Sequence, residues 1–356
     1  MKPKCLFAFA LVTLAGSCCY PPGVAGAAQG SKFVPAIRSD MKNANKEATS
    51  PQETSPHTVS FVTVDTNVKL EVLDWGGSGR PLILLAGLGD TAHVFDHFAL
   101  QLTPTYHVYG ITRRGFGASS APAPANGNYS ADRLGDDVLA VIEALHLNRP
   151  VLVGHSIAGE ELSSVGSRYP DKVAGLIYLE AAYAYAYYDR SQGDLLIDAL
   201  ALRKKLDQLV PGAGPDDQRD LVRDLLQTSL PQFEKDLREQ QKALESMPAR
   251  SEPLEKLPLE EQAILSGQQE FTDIRVSVLA IFAHPHSMQD RFPNDAAARS
   301  AAEAKDLLYT GTQAKALEAG LPSARVVLLP QADHYIFRSN EQDVLREINA
   351  FMASLR

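Results

Sequence analysis

Cysteine is nearly absent from this chain. The three in its 356 residues are Cys5, Cys18 and Cys19, all close to the N-terminus, so the rest of the sequence cannot build a disulfide framework. Positive charge is also short: 34 Lys and Arg against 43 Asp and Glu leave a formal charge of −9. That balance excludes the basic footprint of a nucleic-acid-binding surface and argues for little beyond solubility. Long apolar runs are missing. The run "CLFAFALVTLA" at 5–15 is too short to span a bilayer as a stable helix. No internal repeat occurs at the periods that mark solenoids. Hydrophobic residues still make up 45% of the chain, enough for a sizeable core and too many for global disorder.

What is present begins with an export signal. Lys2 and Lys4 precede the short apolar run, and "VAGAAQG" follows, with Ala25 and Ala27 forming an A-x-A cleavage site. Residues 1–27 are therefore expected to be removed, and the protein to work in a periplasm or outside the cell. The alternatives for this segment are a buried first helix or a lipid anchor at Cys18. Against the anchor, "LAGSC" has Ala15 where a lipobox has Leu, three residues before Cys18. Residues 28–56 are rich in Ala, Ser, Thr, Asn, Lys and Pro without an apolar period, the composition of a flexible linker.

From His57 the texture changes. "VSFVTVD" and "VKLEVLDWG" read as neighbouring strands with a turn at Asp65–Asn67. "RPLILLAG", "YHVYGITRRG", "PVLVG" and "VAGLIYLEA" are short apolar runs, the signature of strands buried on both faces. Between them, roughly 131–146 places Leu134, Val138, Val141, Ile142 and Leu145 on one helical stripe. Strands alternating with helices predict an α/β fold: a mostly parallel sheet flanked by helices. After Glu180 the alternation stops, and 183–272 holds charged, helix-forming stretches. Strands resume at "IRVSVLAIFA" and end at "ARVVLLP", and a last helix closes the chain. The expected organisation is one α/β core, 57–182 and 273–356, with a helical cap at 183–272.

"GHSIAG" follows an apolar strand and opens a helix. Small residues at Gly154 and Ala158 permit a very sharp turn that holds the Ser156 hydroxyl out at the carboxyl edge of the sheet. A serine is a poor nucleophile until a base takes its proton. Of the nine histidines, His334 stands past the last strand, at the same sheet edge and in the right chain order. His284 and His286 follow a strand and are candidates for the pocket wall; no third ligand accompanies this pair, so neither a metal nor another cofactor is expected. An oxyanion needs two aimed N–H groups; Leu88 in "LLAGLGD" and Ile157 after the serine offer them. Tyr183, in "AAYAYAYYD", is expected with its neighbouring tyrosines at the cap entrance. Plain packing between cap and core is the alternative there.

Taken in order, "AGLGD", "TRRGFGASS", "GHSIAG" and "DHYIF" resemble the α/β-hydrolase fold superfamily, over about 60–350. Ala86 departs from the family's usual His-Gly. The resemblance implies a Ser–His–acid triad at Ser156 and His334, with the insertion capping the pocket. Arg114 would brace loops. Two carboxylates compete for the acid. Many members carry it after the strand that follows the cap, where "IFAHPHSMQD" offers only Asp290. An arrangement similar to that of haloalkane dehalogenases carries it one strand earlier, where Glu180 ends "LIYLE". Dehalogenases and epoxide hydrolases need Asp as nucleophile, so Ser156 points to acyl transfer on a small-molecule ester. Amide, lactone or C–C bond hydrolysis, or non-catalytic binding on the same fold, are the alternatives.

Overall fold

A computed structural model describes residues 55–125, 127–209, 215–245 and 256–355. The signal-segment and lipid-anchor expectations, and nearly all of the linker, lie outside the described residues. The first strands are β1 (Thr58–Asp65), β2 (Val68–Gly76) and β3 (Pro81–Leu85). Helix α1 (Asp96–Leu102) leads to β4 (His107–Ile111), and α2 (Ala131–Ala144) to β5 (Val151–His155). Helix α3 (Gly159–Arg168) precedes β6 (Gly175–Leu179). Helices α4 (Leu195–Leu206), α5 (Pro215–Asp224), α6 (Leu230–Glu245) and α7 (Leu259–Leu265) then intervene before β7 (Val278–Ala283). The chain ends with α8 (Ala296–Gly320), β8 (Ala324–Leu329), the single turn α9 (Ile336–Ser339) and α10 (Glu341–Ser354).

The eight strands form one sheet in the order β1-β2-β4-β3-β5-β6-β7-β8. β1–β2 and β2–β4 are antiparallel and every other pair is parallel. Strand side chains alternate between two cores. Ile83, Leu85 and Leu152 face one, with α2 and α3; Leu82, Leu84, Val151 and Val153 face the other, with α1 and α10. Each such side chain contributes about 1.5–3 kcal/mol by leaving water, which is why the central strands read as unbroken apolar runs. The edge strand β1 leaves Val59 and Phe61 half exposed.

Helix α2 forms where the apolar stripe predicts it. Ser130 caps its N-terminus through its hydroxyl, and Leu134, Val138, Val141 and Ile142 are buried, with Leu145 partly so. Arg114 is fully buried, its guanidinium doubly bonded to Asp137 of α2 at 2.6 Å, so it ties the β4 loop to that helix. Strand order reverses around β3, which has β4 on one side and β5 on the other. Ligands of open α/β sheets sit at the carboxyl ends of such a pair.

Candidate active site

Ser156 leaves β5 at φ 54, a left-handed conformation costly for a residue with a Cβ and characteristic of functional turns. The small neighbours are required by contact. A Cβ on Gly154 would stand 2.7 Å from Leu162 Cδ1 and 3.2 Å from Ala158 Cβ, and one on Gly159 would stand 1.9 Å from the Ala181 carbonyl oxygen. The elbow is thus wedged between its own helix and the loop after β6. At the start of that helix the N–H of Ile157 has no helical carbonyl to bond.

The second oxyanion candidate is held by a device the sequence did not reveal. Arg113, buried in the β4 loop, donates to the Ala86 carbonyl at 2.8 Å and the Gly87 carbonyl at 3.2 Å, and is ion-paired with Glu161 of α3. Across a trans peptide the Gly87 carbonyl and the Leu88 N–H point opposite ways. Fixing one therefore aims the other. Leu88 and Ile157 pack in one small apolar cluster with Tyr129, Leu134 and Ile264 of α7.

The histidine and the acid meet at the far side of the elbow. Glu180 directly follows β6 at φ 52 and is fully buried. Its Oε2 accepts from His334 Nδ1 at 3.4 Å, from the Tyr183 hydroxyl at 2.8 Å and from His286 Nε2 at 2.6 Å; its Oε1 accepts from the Ala283 N–H at 2.6 Å. Burial alone would raise its pKa, but His286 and His334 reverse this and hold the carboxyl well below its usual range. Asp290 is exposed on the loop beyond β7. Among the described residues it makes no hydrogen bond to His334.

His334 is fixed through its backbone as well. The buried His155 donates from Nε2 to the His334 carbonyl at 3.0 Å, and the two rings lie 4.7 Å apart. Burial, reinforced by the neighbouring His334, pushes His155 well below the ordinary imidazole range, so it stays neutral with its proton on Nε2. Among the described residues no hydrogen bond closes Ser156 Oγ onto His334; such bonds commonly tighten only in the substrate complex.

Tyr183 takes the packing alternative, and His284 is held by a neighbouring helix. Residues 183–187 form a turn, closed by Ala186 and Tyr187 N–H groups donating to the Tyr183 carbonyl. Tyr183 is buried against Glu180, and it is Tyr185 whose phenol reaches the Ser156 side chain. Burial raises that phenol well above its usual pKa and keeps it protonated. His284 turns away to α8, with Nδ1 2.6 Å from Thr310 Oγ1; its neighbour His286 reaches the acid instead. The donor atoms of Glu180, His286 and His334 lie within 4.8 Å of one another, close enough for a cation, and are here joined by hydrogen bonds.

A family model described as the alpha/beta hydrolase fold matches residues 80–340. Fluoroacetate dehalogenase of Burkholderia sp is 33% identical over 116 residues, which is 32% of this chain and 38% of that protein. The 2-(acetamidomethylene)succinate hydrolase of Mesorhizobium japonicum is 26% identical over 104 residues, 29% of this chain and 36% of that one. The chain therefore matches well under half the length of either relative. Among solved structures, E-2-(acetamidomethylene)succinate hydrolase superposes over 84% of this chain and 100% of its own, with TM-score 0.52 and 18% identity. Bromoperoxidase from Bacillus anthracis covers 83% and 100%, with TM-score 0.51 and 18% identity. Likeness at such identity speaks for the fold.

Proposed function

Because the chain belongs to the α/β hydrolase fold family, we propose that it is a serine hydrolase that cleaves small or medium-sized carboxylic esters through an acyl-enzyme. The carrying observation is that Ser156 stands on a strained strand-to-helix turn at the sheet edge that also carries His334 hydrogen-bonded to Glu180. Ser156 Oγ attacks the ester carbonyl while His334 takes its proton. The carbonyl oxygen gathers negative charge between the N–H groups of Leu88 and Ile157. Return of that proton expels the alcohol and leaves an acyl-Ser156 ester. Water, deprotonated by His334, then releases the acid and restores the serine. Glu180 keeps the His334 proton on Nδ1 and stabilises the imidazolium.

The relatives named above act on varied bonds, and in this reading the serine separates this chain from chemistry that needs a carboxylate nucleophile. Amide, lactone and C–C cleavage use the same machinery and differ in the leaving group. The proposal places the work outside the cytoplasm, following the export signal read at 1–27.

The test is covalent labelling by a fluorophosphonate, joined to turnover of p-nitrophenyl esters of graded chain length. Ser156→Ala is expected to abolish labelling and to lower turnover on the order of 10⁴-fold. Labelling that survives in that variant removes Ser156 from the mechanism. Within the same assay Glu180→Gln should cost roughly 10²–10⁴-fold in kcat with KM little changed, and Asp290→Asn less than about 10-fold; the reverse ranking would move the acid to Asp290.

A further inference from the structure

The carboxylate beside His334 serves two imidazoles. On the same Oε2 of Glu180 sits His286 Nε2, at 2.6 Å against 3.4 Å for His334. The other ring nitrogen of His286 faces Asp306 of α8, with Nδ1 3.0 and 3.1 Å from the two carboxylate oxygens. The His286 backbone N–H donates to Asp306 as well, at 2.6 Å. The segment is also stitched to the loop that carries His334: Ser287 N–H donates to the Ala332 carbonyl at 2.9 Å, and Gln331 N–H to the Pro285 carbonyl at 2.9 Å. The mechanism above uses neither His286 nor Asp306.

Hydrogen-bond accounting gives the charge. An ionised carboxylate only accepts, and a neutral imidazole has one N–H. A ring with carboxylate oxygens at both nitrogens must donate from both, so it is an imidazolium. Burial disfavours that cation, but Glu180 and Asp306 outweigh it and hold His286 well above its ordinary range.

We propose that His286, anchored by Asp306, is a positioning residue of the hydrolysis: it fixes the Glu180 carboxylate and offsets part of the charge that Glu180 presents to His334. This rests on the serine-hydrolase reading. The two rings are 6.3 Å apart between centroids. A cation there opposes a second positive charge on His334. Other groups face the pair: Tyr309 of α8, Tyr183 and Tyr185 after β6, His155 at the end of β5, and Asp90 and Arg338 beside His334. All remain when His286 alone is changed.

Three variants separate charge from anchoring. His286→Gln keeps a donor to Glu180 and loses the charge; His286→Phe loses both; Asp306→Asn weakens the anchor from behind. With p-nitrophenyl acetate, His286→Gln should move the acid limb of kcat/KM to higher pH on the order of one unit. Plateau kcat should fall by about 10-fold with KM unchanged, and by about 10²-fold in His286→Phe. Asp306→Asn should shift the limb the same way by less. Independently of turnover, ¹⁵N NMR of the imidazole signal missing in His286→Gln should show a ring still doubly protonated where an ordinary imidazole has lost its proton. An unmoved acid limb in folded His286→Gln and Asp306→Asn overturns the proposal, as does a His286 signal that titrates near neutrality. Activity lost to a chelator and regained with zinc overturns it too, since the cluster would then be a cation site. If wild-type Ser156 does not label, the ester reading fails by itself, while the NMR result still decides whether His286 carries the charge.

Discussion

Glu160 is a residue that the triad does not use and the core does not want. It lies on α3 beside the Arg113–Glu161 pair, 1% exposed, with both carboxylate oxygens buried and unpartnered among the described residues. Burial and the adjacent Glu161 push its pKa well above the ordinary value of 4.5, against the pull of Arg113. The fold therefore holds Glu160 as a neutral acid. In the unfolded chain it gives up its proton near pH 4.5, so the unfolded state binds fewer protons from there up to the raised folded value. Stability must then decline as pH rises through that range. Glu160→Gln keeps the shape and cannot ionise. Its Tm should match wild type near pH 5 and exceed it by at least about 2 °C at pH 8–9 in calorimetry. A Gln variant less stable at every pH would mean that the fold uses the carboxylate ionised.

At the scale of elements, the loop after β3 shows how a glycine-containing turn is held by something distant in sequence. Removing the Arg113 guanidinium does two separable things. It frees the Ala86 and Gly87 carbonyls, and it breaks the buried ion pair with Glu161. Arg113→Met should cost about 3–5 kcal/mol of stability for the broken buried pair and about 10²-fold in kcat for a misdirected Leu88 N–H. Adding Glu161→Gln removes the buried charge. The double variant should recover most of the Tm in a melting experiment and none of the kcat. Recovery of both would mean that the loop keeps its shape without Arg113. The same scale explains what was legible beforehand. Strands β3, β5, β6 and β7 are buried on both faces and so are written as apolar runs. Helix α8 buries only Thr310, Ala314 and Leu317 of its 25 residues and writes no stripe. The elbow and His334 are marked by local spacing. The role of His286 is not, because its partners stand 106 and 20 residues away in Glu180 and Asp306; a histidine three residues past a buried strand is its only trace. The orientations of Tyr183 and His284 are not legible for a related reason: the direction a loop side chain takes is set by a turn and by α8, neither visible as a period.

For the molecule as a whole, export and stability meet in the placement of the cysteines. All three cysteines fall within residues 1–27, and the body is held by two apolar cores on either face of an eight-stranded sheet. Nothing in that body depends on a disulfide, so the fold is indifferent to the redox state of the compartment it enters. No helix of the described residues is long and apolar enough to cross a membrane. For a lipid anchor the sequence offers Cys18 or Cys19. We propose cleavage after Ala27, which removes both anchors along with Lys2 and Lys4 and makes the released protein more acidic. Mass spectrometry of protein recovered from outside the host cytoplasm should give a chain beginning at Ala28. Its Tm should be the same, within about 1 °C, with and without a thiol reductant. A diacylated Cys18 would replace release by anchoring, and an intact Met1 on active protein would place the hydrolysis inside the cell. A melting point that drops on reduction would mean that a cysteine of the first segment is retained and bonded, which cleavage after Ala27 does not allow.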